Sequence, residues 1–434
     1  MIRTLSPWLV FAALLAAPPL LFDGGFPLTL ASQAGIAIIL ALSYNMLFGQ
    51  TGLLSFGHAV YSGLGAYAAI HALKLIGAGS LPFPVAFLPL VGGAAGALVA
   101  VLLGYVSSRR GGLTFAMISL GIGEMVHAAA ALFPTLFGGE SGITADRAGA
   151  LVIKIVAANA AADATAATFA AAQLGFDFSS ARAVCWLIAA WTLASTVAMY
   201  AFTRTPLGRL ANAVRDNPER AAQVGIDPRR VRWLVMIAAG AFAGIAGSLS
   251  AILFEIVSAE NLGVAASAAM LFATFIGGSG AFFGPVLGAI VYTLMSGAVA
   301  AVTPAWPIYL GALFIVVVLK APGGLLSRPA SMPEDARLSG LYGKSPGAGM
   351  ALAAIAILAI LAMLTGFIGL VESAYALAGS PGGAASWLAT LPGGRAAGVV
   401  LAGVLFIAGR ETWNWMAARR PALPNAAAVP ERAP

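Results

Sequence analysis

Few side chains in this sequence could do covalent chemistry, and their spacing excludes most of it. The three histidines, His58, His71 and His127, do not stand at metal-ligand spacing, and the single cysteine, Cys185, lies in an apolar stretch. Neither a metal site nor a disulfide framework is expected. No HExxH, paired-aspartate or GxSxG signature occurs, which argues against a membrane enzyme. The run GGSGAFFGP at 277–285 has the glycines of a phosphate loop but lacks the lysine and hydroxyl that cradle a nucleotide. No ATP and no other cofactor is expected on this chain.

What remains are polar groups set in apolar stretches. In LSYNMLFGQTGLLSFGHAVYSGLGAY (42–67), Asn45, Gln50, Thr51, Ser55 and His58, with Gly49, Gly52 and Gly57, interrupt a hydrophobic run. Irregular backbone at membrane depth is tolerated only where it is buried in protein or lines a wet cavity. The segment therefore reads either as a broken helix beside a pathway or as a hairpin turn at the membrane surface, capped by Gln50 and Thr51. Glu124 and His127 are three apart and share a helix face. An ionisable residue within a span is a functional candidate, although a local interhelical hydrogen bond or a wet interface position would use the same pair. Glu255 and Glu260 follow a span and read as external-loop residues. The candidate pathway set is Asn45, Gln50, Ser55, His58 and Glu124.

The elements that must position these residues follow from composition. Hydrophobic residues make up 60% of the 434 positions and charged residues 9%, with mean hydropathy +0.93. This predicts an all-α polytopic membrane bundle, because a barrel would instead show alternating segments of about ten residues. Apolar windows lie near 7–22, 30–48, 54–76, 83–105, 113–134, 183–203, 233–254, 264–276, 285–302 and 306–320 in a core of about ten spans. Two more, near 349–371 and 396–410, form a C-terminal extension. Windows much shorter than about twenty residues are candidates for broken or re-entrant segments. The first window reads as an uncleaved span rather than a signal peptide, since no small-residue cleavage site follows it. The predicted organisation is a core over 1–325, a linker over 326–348, the extension over 349–420 and a disordered tail over 421–434.

Charge supplies the sidedness. The net charge of +7 gathers at the ends of apolar segments, as topology requires, so membrane lipid rather than nucleic acid is the expected neighbour. With a cytoplasmic amino terminus, Arg109-Arg110, the 204–232 loop, the Lys320/Arg328/Arg337/Lys344 group and Arg419-Arg420 all fall inside. The 135–182 segment then falls outside, and its alanine-rich core from 156 to 173 reads as an external helix or a flexible loop.

The loop RTPLGRLANAVRDNPERAAQVGIDPRRVR carries seven arginines against three acids, a net +4, between two segments that could each cross a bilayer. It is built as two short helices: Pro206 sits at a start, Gly225 at a stop, and Asp227-Pro228 restarts the chain. An ordered helix between spans suggests that something docks there. Elsewhere, Gly280, Gly284 and Gly288, and Gly240 and Gly244, recur every four residues, a register in which helix backbones approach closely.

Four blocks in order resemble a known family, the LivM-type permeases of bacterial branched-chain amino acid ABC importers. They are ALSYNMLFGQTGLLSFGHAVYSGLGAY (41–67), RRGGLTFAMISLGIGEM (109–125) with FGGESGIT (137–144), GRLANAVRDNPERAAQVGID (208–227), and TFIGGSGAFFGPVLGAI (274–290) followed by LKAPGGLL (319–326). Tyr61 stands where the family commonly has Phe, and the spans after 349 are not part of its pattern. The resemblance, over about residues 30–326, implies a multi-pass subunit of a bacterial inner membrane. It also implies partners: a LivH-like sister permease, two cytoplasmic ATPases and an external solute-binding protein. Leucine, isoleucine or valine would be the cargo, although relatives on the same scaffold carry urea, short amides or aromatic acids. The third block resembles the coupling segment of such importers, with Glu219, Ala221, Ala222 and Gly225 as a loose Glu-Ala-Ala…Gly pattern among Arg209, Arg215, Asp216 and Arg220. A self-sufficient secondary transporter or channel is the rival, and the scarcity of intramembrane acids argues against it.

Overall fold

The α2 helix, Gly25–Thr51, stops because Gly52 takes a left-handed conformation (φ 69°) and its N–H turns back to the Phe48 carbonyl at 3.0 Å. Two other helices, Pro134–Phe137 and Pro228–Phe254, also stop at a left-handed residue, Gly138 and Glu255. The computed structural model describes residues 2–78, 80–81, 83–147, 180–301, 303–320 and 323–325. The alanine-rich 156–173 segment, the 326–348 linker, the spans near 349–371 and 396–410 and the tail lie outside the described residues.

The helices in chain order are α1 (Ile2–Leu21), α2, α3 (Ala59–Gly77), α4 (Leu88–Ser107), α5 (Gly112–Leu132), α6 (Pro134–Phe137), α7 (Ala181–Arg204), α8 (Pro206–Asp216), α9 (Pro218–Gln223), α10 (Pro228–Phe254), α11 (Val264–Gly277), α12 (Gly284–Thr293) and α13 (Trp306–Lys320). Six are long and apolar enough to cross a membrane: α2, α3, α4 with its preceding 3-10 turn, α5, α7 and α10. Four shorter apolar helices accompany them, Trp8–Leu21, Val264–Gly277, Gly284–Val299 and Trp306–Leu319. The chain divides into two units, residues 1–297 with 312–327, and the remainder, of which 298–311 is described apart from residue 302. The sites below all lie in the first unit.

The centre of that unit is α10, which packs against α4, α3 and α2. The seam is made of glycine: a Cβ on Gly65 or Gly92 would meet the Gly244 backbone at 2.6 Å. Apolar lipid gives little drive to helix association, so close backbone approach supplies the attraction through van der Waals contact. A second seam joins α11 to α12, where Gly288 faces Ala273 and Gly284 faces Gly277 and Gly278. Gly280 departs from the predicted packing register, because it lies in the loop before α12 with nothing within 4 Å of a Cβ position. Gly277, on the other side of the seam, takes its place.

At one end, β1 (Ile143–Thr144) pairs antiparallel with β2 (Ile256–Val257). Arg147 closes this end: its Nη1 donates to the Ile252 and Leu253 carbonyls at 2.9 and 3.1 Å, satisfying the last turn of α10. Its backbone N–H donates to Glu255 Oε1 at 2.9 Å. Large apolar side chains such as Leu98, Leu102, Leu113 and Leu319 are exposed, as residues facing lipid should be.

Candidate translocation and coupling sites

At the opposite end three loops converge. Gly52, after α2, abuts the stem of Arg215 on α8, and Gly111, before α5, abuts the guanidinium of Arg232 on α10. Between α7 and α10 the chain forms α8 and α9, each opened by a capping side chain with proline next in sequence. Thr205 accepts from Gly208 N–H at 3.2 Å, and Asn217 Oδ1 from Arg220 N–H at 2.9 Å. Asp227 repeats the device for α10, accepting from Arg229 N–H at 3.0 Å ahead of Pro228. Gly225 holds φ 86° between α9 and α10.

The predicted coupling residues divide by face. Ala221 is buried, whereas Arg209, Glu219, Arg220, Ala222 and Gly225 are exposed. Arg215 donates to the Gly49 carbonyl at the end of α2 and pairs with Asp216 at 2.9 Å, so it ties α8 to α2. Glu219 and Ala222 line an open hollow of about 520 Å³ with Arg109, Arg229 and Arg232.

The polar stretch at 45–58 is interrupted more narrowly than its residues predict. α2 runs unbroken through Asn45 and Gln50, and only residues 52–58 are irregular. These seven residues turn back along α2, so that His58 Nε2 lies 2.9 Å from Ser43 Oγ. Ser43 is eight residues before Thr51, a depth of about 12 Å at the helical rise of about 1.5 Å per residue. α3 thus begins well inside the bundle, and the turn is not a surface hairpin. Its amides find partners across the fold: Phe56 N–H donates to Ser119 Oγ on α5 and Ala59 N–H to Ser267 Oγ on α11, both at 3.0 Å. Ser43 also donates to the Leu40 carbonyl at 2.8 Å. With its single proton so placed, it accepts from His58, whose Nε2 is the donor.

A cavity of about 960 Å³ opens between α2, α3, α5, α10, α11 and α12. Of the five predicted pathway residues only Glu124 lines it. Asn45, Gln50, Ser55 and His58 are buried against protein and do not reach it. The first turn of α3 does, through Ser62 and Gly63. Glu260 and Asn261, on the 3-10 turn Ala259–Leu262, line the cavity as well. His127 Nδ1 binds the Ala259 carbonyl at 2.9 Å and pins that turn to α5. Among the described residues no group of three or more His, Cys, Asp or Glu could hold a metal ion.

A family model described as branched-chain amino acid transport system / permease component matches residues 26–319. The chain belongs to this permease family. The permease is 28% identical over 309 residues to the high-affinity branched-chain amino acid transport system permease protein LivM of Escherichia coli K12, covering 70% of each chain. The LivM protein of Salmonella typhimurium is 27% identical over 308 residues, again 70% of each. A probable branched-chain amino acid transport permease protein LivH of Methanocaldococcus jannaschii is 25% identical over 230 residues, 52% of this permease and 66% of the relative. No solved structure matches.

The matched region of the permease holds the hollow at α8–α9, the re-entrant turn and the cavity. Sequence reasoning read Glu260 as an external-loop residue and did not connect it with Glu124, whereas the structure sets its turn on the cavity. The signal was there: α11 has 14 residues, about 21 Å, against a hydrocarbon core of about 30 Å. A helix that short is a sign that the chain before it packs on the bundle, and the turn Ala259–Leu262 does so against α3 and α5.

Proposed function

We propose that this permease is one membrane subunit of an ATP-driven importer that carries leucine, isoleucine and valine into a bacterial cell. The observation that carries the reading is the pair α8–α9. Two short helices, each opened by a side-chain cap, stand between two membrane-length helices where the arginines gather, with Glu219, Arg220 and Ala222 exposed on them. Basic loops remain cytoplasmic, which supports a reading in which this end and the amino terminus face the cytoplasm. The exposed face of α8–α9 then meets two ATPase subunits, which bind and hydrolyse the nucleotide. This chain needs no cofactor. A LivH-like sister permease completes the membrane pair, and an external binding protein delivers cargo to the other end.

In this reading ATP binding draws the ATPases together, and α8–α9 follow as a lever. The energy comes from contacts that differ between two states of the complex, so no catalytic group is required here. Arg215 gives the lever a path inward, through the Gly49 carbonyl to α2 and the re-entrant turn.

The test is to purify the tagged chain from its native membrane in mild detergent and to identify its companions by mass spectrometry. One or two ABC ATPases and a second permease are expected. Repeated recovery of the chain alone, under conditions that keep a known importer intact, would favour a self-sufficient carrier.

A further inference from the structure

Among the described residues, the polar groups of the large cavity are acidic or neutral: Glu124, His127, Glu260 and Asn261 line it with Ser62, Ser250 and Tyr292, and no described lysine or arginine does. His127 sets their arrangement. Its Nδ1 lies 2.9 Å from the Ala259 carbonyl, which can only accept, so Nδ1 carries a proton and donates it. This one bond joins the carriers of both carboxylates. Glu124 stands one helical turn before His127 on α5, and Glu260 follows Ala259 directly. Among the described residues neither carboxylate has an ion-pair partner.

Part of the remaining wall is of another kind. Ala37, Leu40, Ala246, Ala269 and Met270 present short aliphatic groups. A cavity with two carboxylates set among apolar walls concentrates negative potential and attracts cations. Among the described residues it offers no lysine or arginine to pair with an anion.

The geometry points to a binding site for a primary ammonium group, held by Glu124 and Glu260, with a branched aliphatic chain lying on the alanine wall. The inference rests on the importer reading and deepens it: this subunit selects its amino acid by the ammonium and the side chain, and leaves the carboxylate unbound. His127 is a positioning residue. The shared chemistry is a cation in the cavity, whose source is either an organic ammonium or an inorganic ion.

The test uses the full chain, purified with the subunits that accompany it but without its binding protein, and saturation-transfer NMR. The probes are leucine, 3-methylbutylamine (leucine without its carboxylate), 4-methylpentanoate (leucine without its ammonium), and sodium or ammonium chloride as competitors. Leucine and the amine are expected to bind, and 4-methylpentanoate about tenfold or more weaker, the loss of a hydrogen bond to a charged group. Glu124→Gln and Glu260→Gln should each weaken the amine about tenfold and leave 4-methylpentanoate unchanged. Equal binding of 4-methylpentanoate and leucine, no binding of any probe, or no effect of either substitution would overturn the site. So would displacement of the amine by sodium at similar concentration, which would mark an inorganic cation site. ATP-driven leucine uptake in cells is followed in parallel. Uptake without amine preference removes the ammonium site alone, and amine preference without ATP-driven uptake removes the importer reading alone.

Discussion

Ser119 accepts the Phe56 amide at 3.0 Å and donates to the Ala116 carbonyl at 2.8 Å, so one buried hydroxyl fixes the irregular turn against α5. Ser119→Ala leaves that amide without a partner, a cost of about 1–3 kcal/mol. The variant is expected to insert and to melt at a lower temperature in detergent, and an unchanged melting temperature would contradict the assigned contact. The polar residues of 45–58 are conspicuous in the sequence because they break an apolar run, but their partners are not. Ser119 and Ser267 lie 63 and 208 residues from the amides they accept, and serines in apolar helices carry no mark of what they face. The same blindness kept Glu260 apart from Glu124, since the contact that joins their carriers is a histidine to a backbone carbonyl.

At the scale of elements, helix positions follow from hydropathy because each apolar run must bury or meet lipid along its whole length. The starts of α8 and α10 are equally legible, since Thr205-Pro206 and Asp227-Pro228 are local signals that need no tertiary partner. The stretch from Pro206 to Gly225, read from sequence as one helix, is broken into α8 and α9 by the same device at Asn217-Pro218. Depth was not legible, because a hydropathy window treats a turn at the surface and a turn about 12 Å inside alike. Glycine register located the α10 seam through Gly240 and Gly244 and overreached at Gly280, where the helix has not begun. Gly244→Leu drives a side chain into the Gly92 backbone, and the expected cost is about 3 kcal/mol, the upper end of overpacking. Membrane-inserted yield and melting temperature should both fall. The same change at Gly280, with open space around it, should move neither by a comparable amount.

For the whole molecule, the mechanism requires the basic end and the cavity to be coupled through the bundle between them. Arg215 to α2, the turn at 52–58, and α3 into the cavity wall form a continuous set of contacts from one to the other. Gly225→Pro removes the N–H that donates to Ala222 at 3.0 Å and cannot adopt φ 86°, so it re-aims α9 without touching the cavity. Arg220→Glu reverses a charge on an exposed face at little cost to folding. The decisive measurement is leucine uptake by proteoliposomes containing the complete importer, with these two variants beside the parent. ATP-dependent accumulation in the parent, and its loss by about tenfold or more in fully assembled variants, is the predicted result. Undiminished uptake in both variants, or accumulation driven by a proton gradient with this chain alone, would contradict the account.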